Sequence, residues 1–258
     1  MANFFAELQA LSVMENDAIL DTRKKCNKIV EFFKKRPAYK DEVDTFAKIV
    51  RGLEPQTFYD ADAFMVQDVL VTDLPEELRH DSLGFCINGY MLYDGRFVYP
   101  VKDVHGDVMG WCGYDKFEDV KYLDSKTNGY KAKQGVLYGM EKLRDYYESK
   151  EPVYIVEGLV CSLYLRQEGL QSLATMGSYL TPYVTEIIKR FGNRAIIIPD
   201  SDEAGNKYRS QARRVLPGVR VIQSTIAKDV DDSRQINPDV ANELRKLKNP
   251  FYMSDLFR

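Results

Sequence analysis

Zinc and disulfide frameworks are the first chemistries that the sequence rules out. Its 258 residues include only four cysteines, Cys26, Cys86, Cys112 and Cys161, and two histidines, His80 and His105. No two cysteines form a CxxC pair, so this spacing builds neither a zinc ribbon nor a disulfide network. Buried free thiols are expected instead. Long apolar stretches are missing too. The longest runs are strand-sized, and Glu7 interrupts the apolar residues near the N-terminus. That leaves no candidate membrane span or signal peptide and implies a cytoplasmic protein. Neither sign of charge dominates: 36 basic against 39 acidic residues give a net charge of -3. A globally basic nucleic-acid binder is thereby excluded, and any such surface must be local. No internal repeat or low-complexity tract is present. The remaining composition, 45% hydrophobic and 29% charged, is ordinary for a soluble protein. It suffices for a core in one large domain or two subdomains.

What the chain does have is acidic groups set after short apolar runs. Val153-Tyr154-Ile155-Val156 ends on Glu157-Gly158, and Ala195-Ile196-Ile197-Ile198-Pro199 delivers Asp200-Ser201-Asp202. A third run, Val219-Arg220-Val221-Ile222, is followed a few residues on by Asp229-Val230-Asp231-Asp232. β-Branched runs of this length read as buried strands of a parallel sheet. Helix-length patterns lie between them, over 159–167, 181–190 and 204–216, the second opening on Thr181-Pro182, a hydroxyl cap before a first-turn proline. Alternating strand and helix gives an α/β layered fold, whose ligand sites lie beyond the carboxyl ends of the strands. The acidic groups would converge there, as a Mg²⁺ site for phosphate chemistry requires. An acidic residue after a strand is also a common helix N-cap, so Asp202 or Asp229 alone proves nothing.

The first part of the chain reads differently. Residues 1–52 carry helical periodicity, with Cys26, Ile29, Val30 and Phe33 on one face and Val43, Phe46, Ala47 and Val50 on another. Between Arg23 and Arg36 stand seven basic residues and one acid, Glu31. Such a run is usually a solvated helix face, with a nucleic-acid contact as the alternative. From Asp60 to Tyr147 short strands alternate with turns, and Asp94-Gly95 and His105-Gly106-Asp107 have the composition of hairpin turns. Between Lys121 and Gly135 four lysines face one aspartate, with Tyr122 and Tyr130 among them. Lysines beside aromatic rings suit a nucleic-acid or nucleotide-phosphate surface. Composition alone fits a solvated loop equally well.

Glu157-Gly158, Asp200-x-Asp202-x-x-Gly205 and Asp229-x-Asp231 together resemble a Toprim domain, the metal-binding module of DnaG-type primases, topoisomerases and some nucleases. Arg51-Gly52-Leu53, Arg96 to Asp103 with Gly106 and Gly110, Lys121-Tyr122-Leu123-x-Ser125 and Lys133-x-x-x-Leu137-Tyr138-Gly139 resemble the upstream segments of the DnaG-type primase catalytic core, in that family's order. The resemblance implies an α+β N-terminal subdomain over 1–147, a Toprim α/β domain with a mostly parallel sheet over 148–236, and a short helical tail over 237–258. Two family positions differ. Tyr114 ends the Gly110-Trp111-Cys112-Gly113 stretch where an arginine is usual, and Cys161 stands where an aspartate usually follows the Toprim glutamate.

The activity so implied is RNA primer synthesis on single-stranded DNA from ribonucleoside triphosphates. Glu157, Asp200 and Asp202 are the expected catalytic residues. Asp229 and Asp231 join these three as ligands of Mg²⁺ or Mn²⁺, with no zinc expected. Arg96, Lys121 and Lys133 would hold template or nucleotide phosphates. The family's zinc ribbon and helicase-binding domain have no counterpart motifs here, so a replicative helicase or a separate zinc-containing initiation subunit is the expected partner. The aromatic tail Pro250-Phe251-Tyr252-Met253 would dock it or pack on its own domain. Two alternatives stay open: a Toprim nuclease, which would direct water at phosphate, and a primase-like factor with a decayed site.

Overall fold

A computed structural model describes residues 17–127, 130–131, 136–222 and 227–247. Lys133 and the aromatic tail lie outside these residues. The described residues begin with the long helix α1 (Asp17–Lys34), then α2 (Tyr39–Thr45), which runs on as a π-helical turn to Arg51, and α3 (Pro55–Asp60). Gly52, with φ of 62°, ends that turn in the left-handed conformation glycine adopts without penalty. An antiparallel sheet follows, in the order β1 (Phe64–Met65), β2 (Phe97–Lys102), β3 (Val108–Tyr114) and β4 (Tyr122–Asp124). The β2–β3 connection is the hairpin expected at His105-Gly106-Asp107, closed by the Asp103 N–H donating to the Asp107 carbonyl at 2.9 Å. Asp94-Gly95 also turns the chain, but it joins no pair of neighbouring strands. Tyr90–Met91 pairs back with Cys86–Ile87 instead.

Aromatic packing holds this sheet to the helices. Phe33 of α1 stacks on Phe64 at 4.4 Å between centroids, and Phe46 stacks on Phe97 at 3.7 Å. Each such ring removes a large apolar area from water and adds a geometric preference. Polar contacts then fix the register of α1 on the hairpin. Arg23 and Asp103 form a buried pair at 2.7 Å, and Asn27 bonds both the Asp107 carboxylate and the Val108 N–H. The basic run on α1 is thus largely spent within the protein. Lys25 pairs with Asp21, Lys28 with Glu77, Lys34 with Asp62 and Arg36 with Glu42. All four cysteines are buried free thiols, as their spacing implied.

After α4 (Leu143–Glu148) comes a fully parallel sheet of β5 (Val153–Val156), β6 (Gln171–Ala174), β7 (Ala195–Ile198) and β8 (Arg220–Val221), in the order β6-β5-β7-β8. The helices α5 (Leu159–Gln167), α6 (Pro182–Phe191) and α7 (Glu203–Val215) connect successive strands, and α8 (Val230–Ile236) and α9 (Val240–Lys246) follow. Every residue of β5 and β7 is buried, which explains their unbroken Val/Ile/Tyr/Ala runs. Thr181 caps α6 as its sequence suggested, its hydroxyl accepting the Val184 N–H at 3.2 Å. The fold is α/β, an antiparallel mixed part leading into a parallel layered one. Strand β6 is the element that the sequence did not announce. Among the described residues, no helix is long and apolar enough to cross a membrane.

Removing one partner of the Arg23–Asp103 pair strands a buried charge. Arg23→Met is expected to cost about 3–5 kcal/mol in urea unfolding. The double variant Arg23→Met/Asp103→Asn should cost less than the two single variants together.

Candidate metal and nucleotide site

Three adjacent strands, β6, β5 and β7, end flush. Val156 is level with Ala174 on one side and with Ile198 on the other. From β5 the chain turns towards β6, whereas from β7 it turns the opposite way, towards β8. Strand ends that diverge like this open a crevice at the carboxyl edge of the sheet. Glu157 and Asp200 stand on its two sides.

Glu157 is buried, and its Oε1 accepts the Asp200 N–H at 2.9 Å, tying the two strand ends together. Asp202 caps α7, its Oδ1 accepting the Gly205 N–H at 2.8 Å. Gly205 is required there, because a Cβ would lie 2.0 Å from the Asp200 carbonyl oxygen. Asp229 caps α8 in the same manner, through the Asp232 N–H at 2.8 Å. Asp202 and Asp229 are therefore helix caps and members of an acidic edge at once. Lys228 completes the group: its Nζ lies 3.3 Å from Asp202 and 3.9 Å from Asp200.

Glu157, Asp200, Asp202 and Lys228 line a cavity of about 240 Å³. Its far wall comes from the antiparallel sheet, through Cys112, Tyr122 and Asp124, and its rim from Met176, Gly177 and Ser178. Met176 has φ of 53°, a left-handed conformation that a long side chain rarely adopts. Such strain recurs at ligand sites.

Burial, followed by the charges of Glu157 and Asp229, raises the Asp200 pKa to about 7. Burial likewise raises Asp229, against the N–H of Asp232. Asp202 moves the other way, lowered chiefly by its Gly205 N–H. Lys228 is raised because the Asp202 and Asp200 carboxylates outweigh the effect of its partial burial. Cys161, wholly buried beneath this edge, is held far above the usual thiol range by desolvation and by the neighbouring Asp229. A neutral thiol thus stands where an aspartate would add one more negative charge.

The expected residues divide accordingly. Glu157, Asp200 and Asp202 share the cavity, and Asp229 acts on Asp200 electrostatically without lining it. Asp231 is buried and turned to Arg234, at 2.7 Å. Among the described residues, no three His, Cys, Asp or Glu side chains already enclose an ion-sized point. Arg96 is not on the surface. It is buried, with Nη1 donating to the carbonyls of Val120 at 2.9 Å and Lys121 at 3.4 Å. Lys121 is exposed just before β4. Tyr114, at the position of the family's arginine, packs between Phe46 and Tyr122. Sequence reasoning singled out Tyr122 as an aromatic neighbour of the lysines but missed Lys228, Asp124 and the Met176–Ser178 rim. For Lys228 the signal was its place just before the third acidic cluster.

A carboxyl group with a folded pKa near 7 and an unfolded value near 3.8 holds its proton in the native state through the intervening window. Its ionisation therefore removes stability as the pH rises from about 4 to about 7. Asp200→Asn should raise the thermal midpoint of the ion-free protein by about 3 °C or more at pH 8, with the gain shrinking as the pH falls and vanishing below about pH 4. Differential scanning calorimetry of the two proteins across that range measures it.

Residues 154–234 match the model of the Toprim-like family. The DNA primase of Aquifex aeolicus is 30% identical over 163 residues, covering 61% of this chain and 33% of that protein. The DNA primase of Listeria monocytogenes is 29% identical over 163 residues, covering 60% and 26%. The chain thus spans about a quarter to a third of the length of these curated relatives. Among solved structures, a DnaG primase catalytic domain bound to single-stranded DNA superposes with a TM-score of 0.74 at 19% identity, covering 90% of this chain and 80% of that one. The zinc-binding and RNA polymerase domains of the Aquifex aeolicus primase give 0.70 at 24% identity, covering 89% and 60%. The chain is a relative of the DnaG-type DNA primases, with the fold of their catalytic core and a Toprim-like domain over residues 154–234.

Proposed function

We propose that the protein synthesises RNA primers on single-stranded DNA, joining ribonucleotides at the acidic edge of the parallel sheet. The observation that carries this reading is the union, in one cavity, of Toprim carboxylates with residues of the upstream antiparallel sheet. A stand-alone Toprim nuclease has no need of that second wall.

The donor set suits a hard divalent cation. Its oxygens come from carboxylates, one of which, Asp200, resists ionisation through burial and the charges of Glu157 and Asp229, and an ammonium already lies against two of them. Mg²⁺ keeps several waters and binds few protein groups, so an open arrangement of two or three carboxylates fits it better than a closed cage would. Glu157, Asp200 and Asp202 would hold such an ion, with Asp229 next to them and Asp231 turned away to Arg234. When bound, the ion would neutralise triphosphate oxygens and stabilise the attacking and leaving oxygens. The protein's own part is mostly positioning. Glu157 fixes the backbone of Asp200, and Asp202 anchors α7. Arg96 holds the Val120–Lys121 segment, from which Lys121 can reach phosphate, and Lys133 is a further phosphate-binding candidate by its sequence motif.

A net charge of -3 gives little nonspecific attraction to DNA. A replicative helicase or a zinc-bearing initiation subunit would then supply the local concentration of template.

Incubation of the purified chain with a labelled, primed single-stranded DNA, ribonucleoside triphosphates and Mg²⁺ separates the readings. Elongation is expected, and Asp200→Asn should lower its rate at least about a hundredfold. Shortening of the DNA would replace the proposal with the nuclease reading, and no reaction at all would favour a decayed site. Template binding gives a second check. Lys121→Ala and Lys133→Ala should each reduce the slope of log affinity against log salt by about 0.7. An unchanged slope would return these lysines to solvated loop.

A further inference from the structure

Lys228 belongs to none of the roles assigned above, yet its place is closely determined. Its carbonyl oxygen accepts the Ser201 N–H at 2.6 Å, from the residue between Asp200 and Asp202. The backbone therefore delivers this side chain to the DxD turn. Its ammonium lies 3.3 Å from Asp202 Oδ2 and 3.9 Å from Asp200 Oδ2, at the rim of the same cavity. The side chain is about half exposed (53%), so it can leave without breaking the core.

A point charge held against two carboxylates by a flexible stem stands where a dication would have to bind. We propose that Lys228 is an internal counter-cation, which occupies the site in the ion-free protein and must swing out when the divalent ion enters. This deepens the metal reading of the site and rests on it. The consequence has two parts. Without the ion, Lys228 lowers the repulsion among Glu157, Asp200 and Asp202 and so keeps the acidic edge compact. With the ion, it is a competitor whose displacement reduces affinity, leaving the site empty at low ion concentration and filling it once triphosphate brings its own charge. Lys suits this task because its ammonium is a single mobile charge, whereas an arginine fork would bind the carboxylates bidentately.

The test uses Mn²⁺ alone, its binding to the full chain followed by the electron paramagnetic resonance of the free ion. Lys228→Met is expected to bind Mn²⁺ about fivefold more tightly than the unaltered chain. Its thermal midpoint should be lower than that of the unaltered chain without Mn²⁺ and equal to it at saturation. Lys228→Gln should behave like Lys228→Met, which guards against a local packing effect, and Lys228→Arg should bind Mn²⁺ no more tightly than the unaltered chain. Equal or weaker Mn²⁺ affinity in both neutral variants, with Asp200→Asn abolishing binding in the parent, would overturn the role of Lys228 and leave the metal reading standing. Absence of Mn²⁺ binding in the unaltered chain and both neutral variants would overturn both.

Discussion

The hydrogen bond from the Asp200 N–H to Glu157 Oε1 joins the two central strands of the parallel sheet at the point where their connections part. The acidic edge is built around it. A buried carboxylate is costly unless it is met by donors, and here the donor is the backbone of the residue that begins the next acidic cluster. The same turn must then pass close to α7, which Gly205 allows by having no Cβ to strike the Asp200 carbonyl. Asp202 caps that helix, and the Ser201 N–H reaches the Lys228 carbonyl. Three chain segments distant in sequence are thus registered through hydrogen bonds donated by main-chain N–H groups before any ligand is considered. That is how like charges can be held side by side: the backbone fixes them, and the electrostatic cost appears as the raised pKa of Asp200.

The cations of the N-terminal part behave in the opposite way. Most cations of α1 are consumed in pairs that orient the helix on the β2–β3 hairpin and its surroundings, and Arg23 is buried in the process. Arg96, too, works inward, as a clamp on the Val120–Lys121 carbonyls. Tyr114 takes the position at which the family places an arginine and turns it into core, packed on Phe46 and Tyr122. At the cavity itself the positive charge comes from Lys228 and from Lys121, which just precedes Tyr122 of its wall. This agrees with a net charge of -3 and makes any hold on nucleic acid local.

The parallel half was legible because its strands are buried on both faces and so repeat Val and Ile without interruption, and because Thr181-Pro182 marks a helix start by its own chemistry. Strand β6 was not legible. Gln171, Ser172 and Ala174 have little β-propensity. They form a strand because β5 offers a ladder and Tyr154 offers a carbonyl for the Ser172 hydroxyl, at 3.1 Å. The acidic motifs disclosed which residues converge but not which way each carboxylate faces. Asp231 turns to Arg234 because that cation lies one helical turn on and packs over Tyr164, a preference that spacing alone does not reveal. Lys228 was hidden for a related reason, since a lysine beside aspartates reads in sequence as ordinary surface charge.

Cys161 bears on how the acidic edge is divided. Its thiol lies against Asp229, which also accepts the Asp232 N–H, and burial still outweighs these hydrogen bonds in raising that carboxyl. Asp231 is balanced by Arg234. Asp229 and Asp231 are thus committed largely to holding α8. Glu157, Asp200 and Asp202 remain at the cavity, with one lysine as their counterweight. An aspartate at position 161 would crowd a further charge into a wholly buried place beside Asp229, where each desolvated carboxylate disfavours the next. The neutral thiol removes that repulsion and shifts the electrostatic centre of the site towards the β5–β7 crevice. The substitution that looks in sequence like the loss of a ligand is, in the fold, a redistribution of charge along the edge of the sheet.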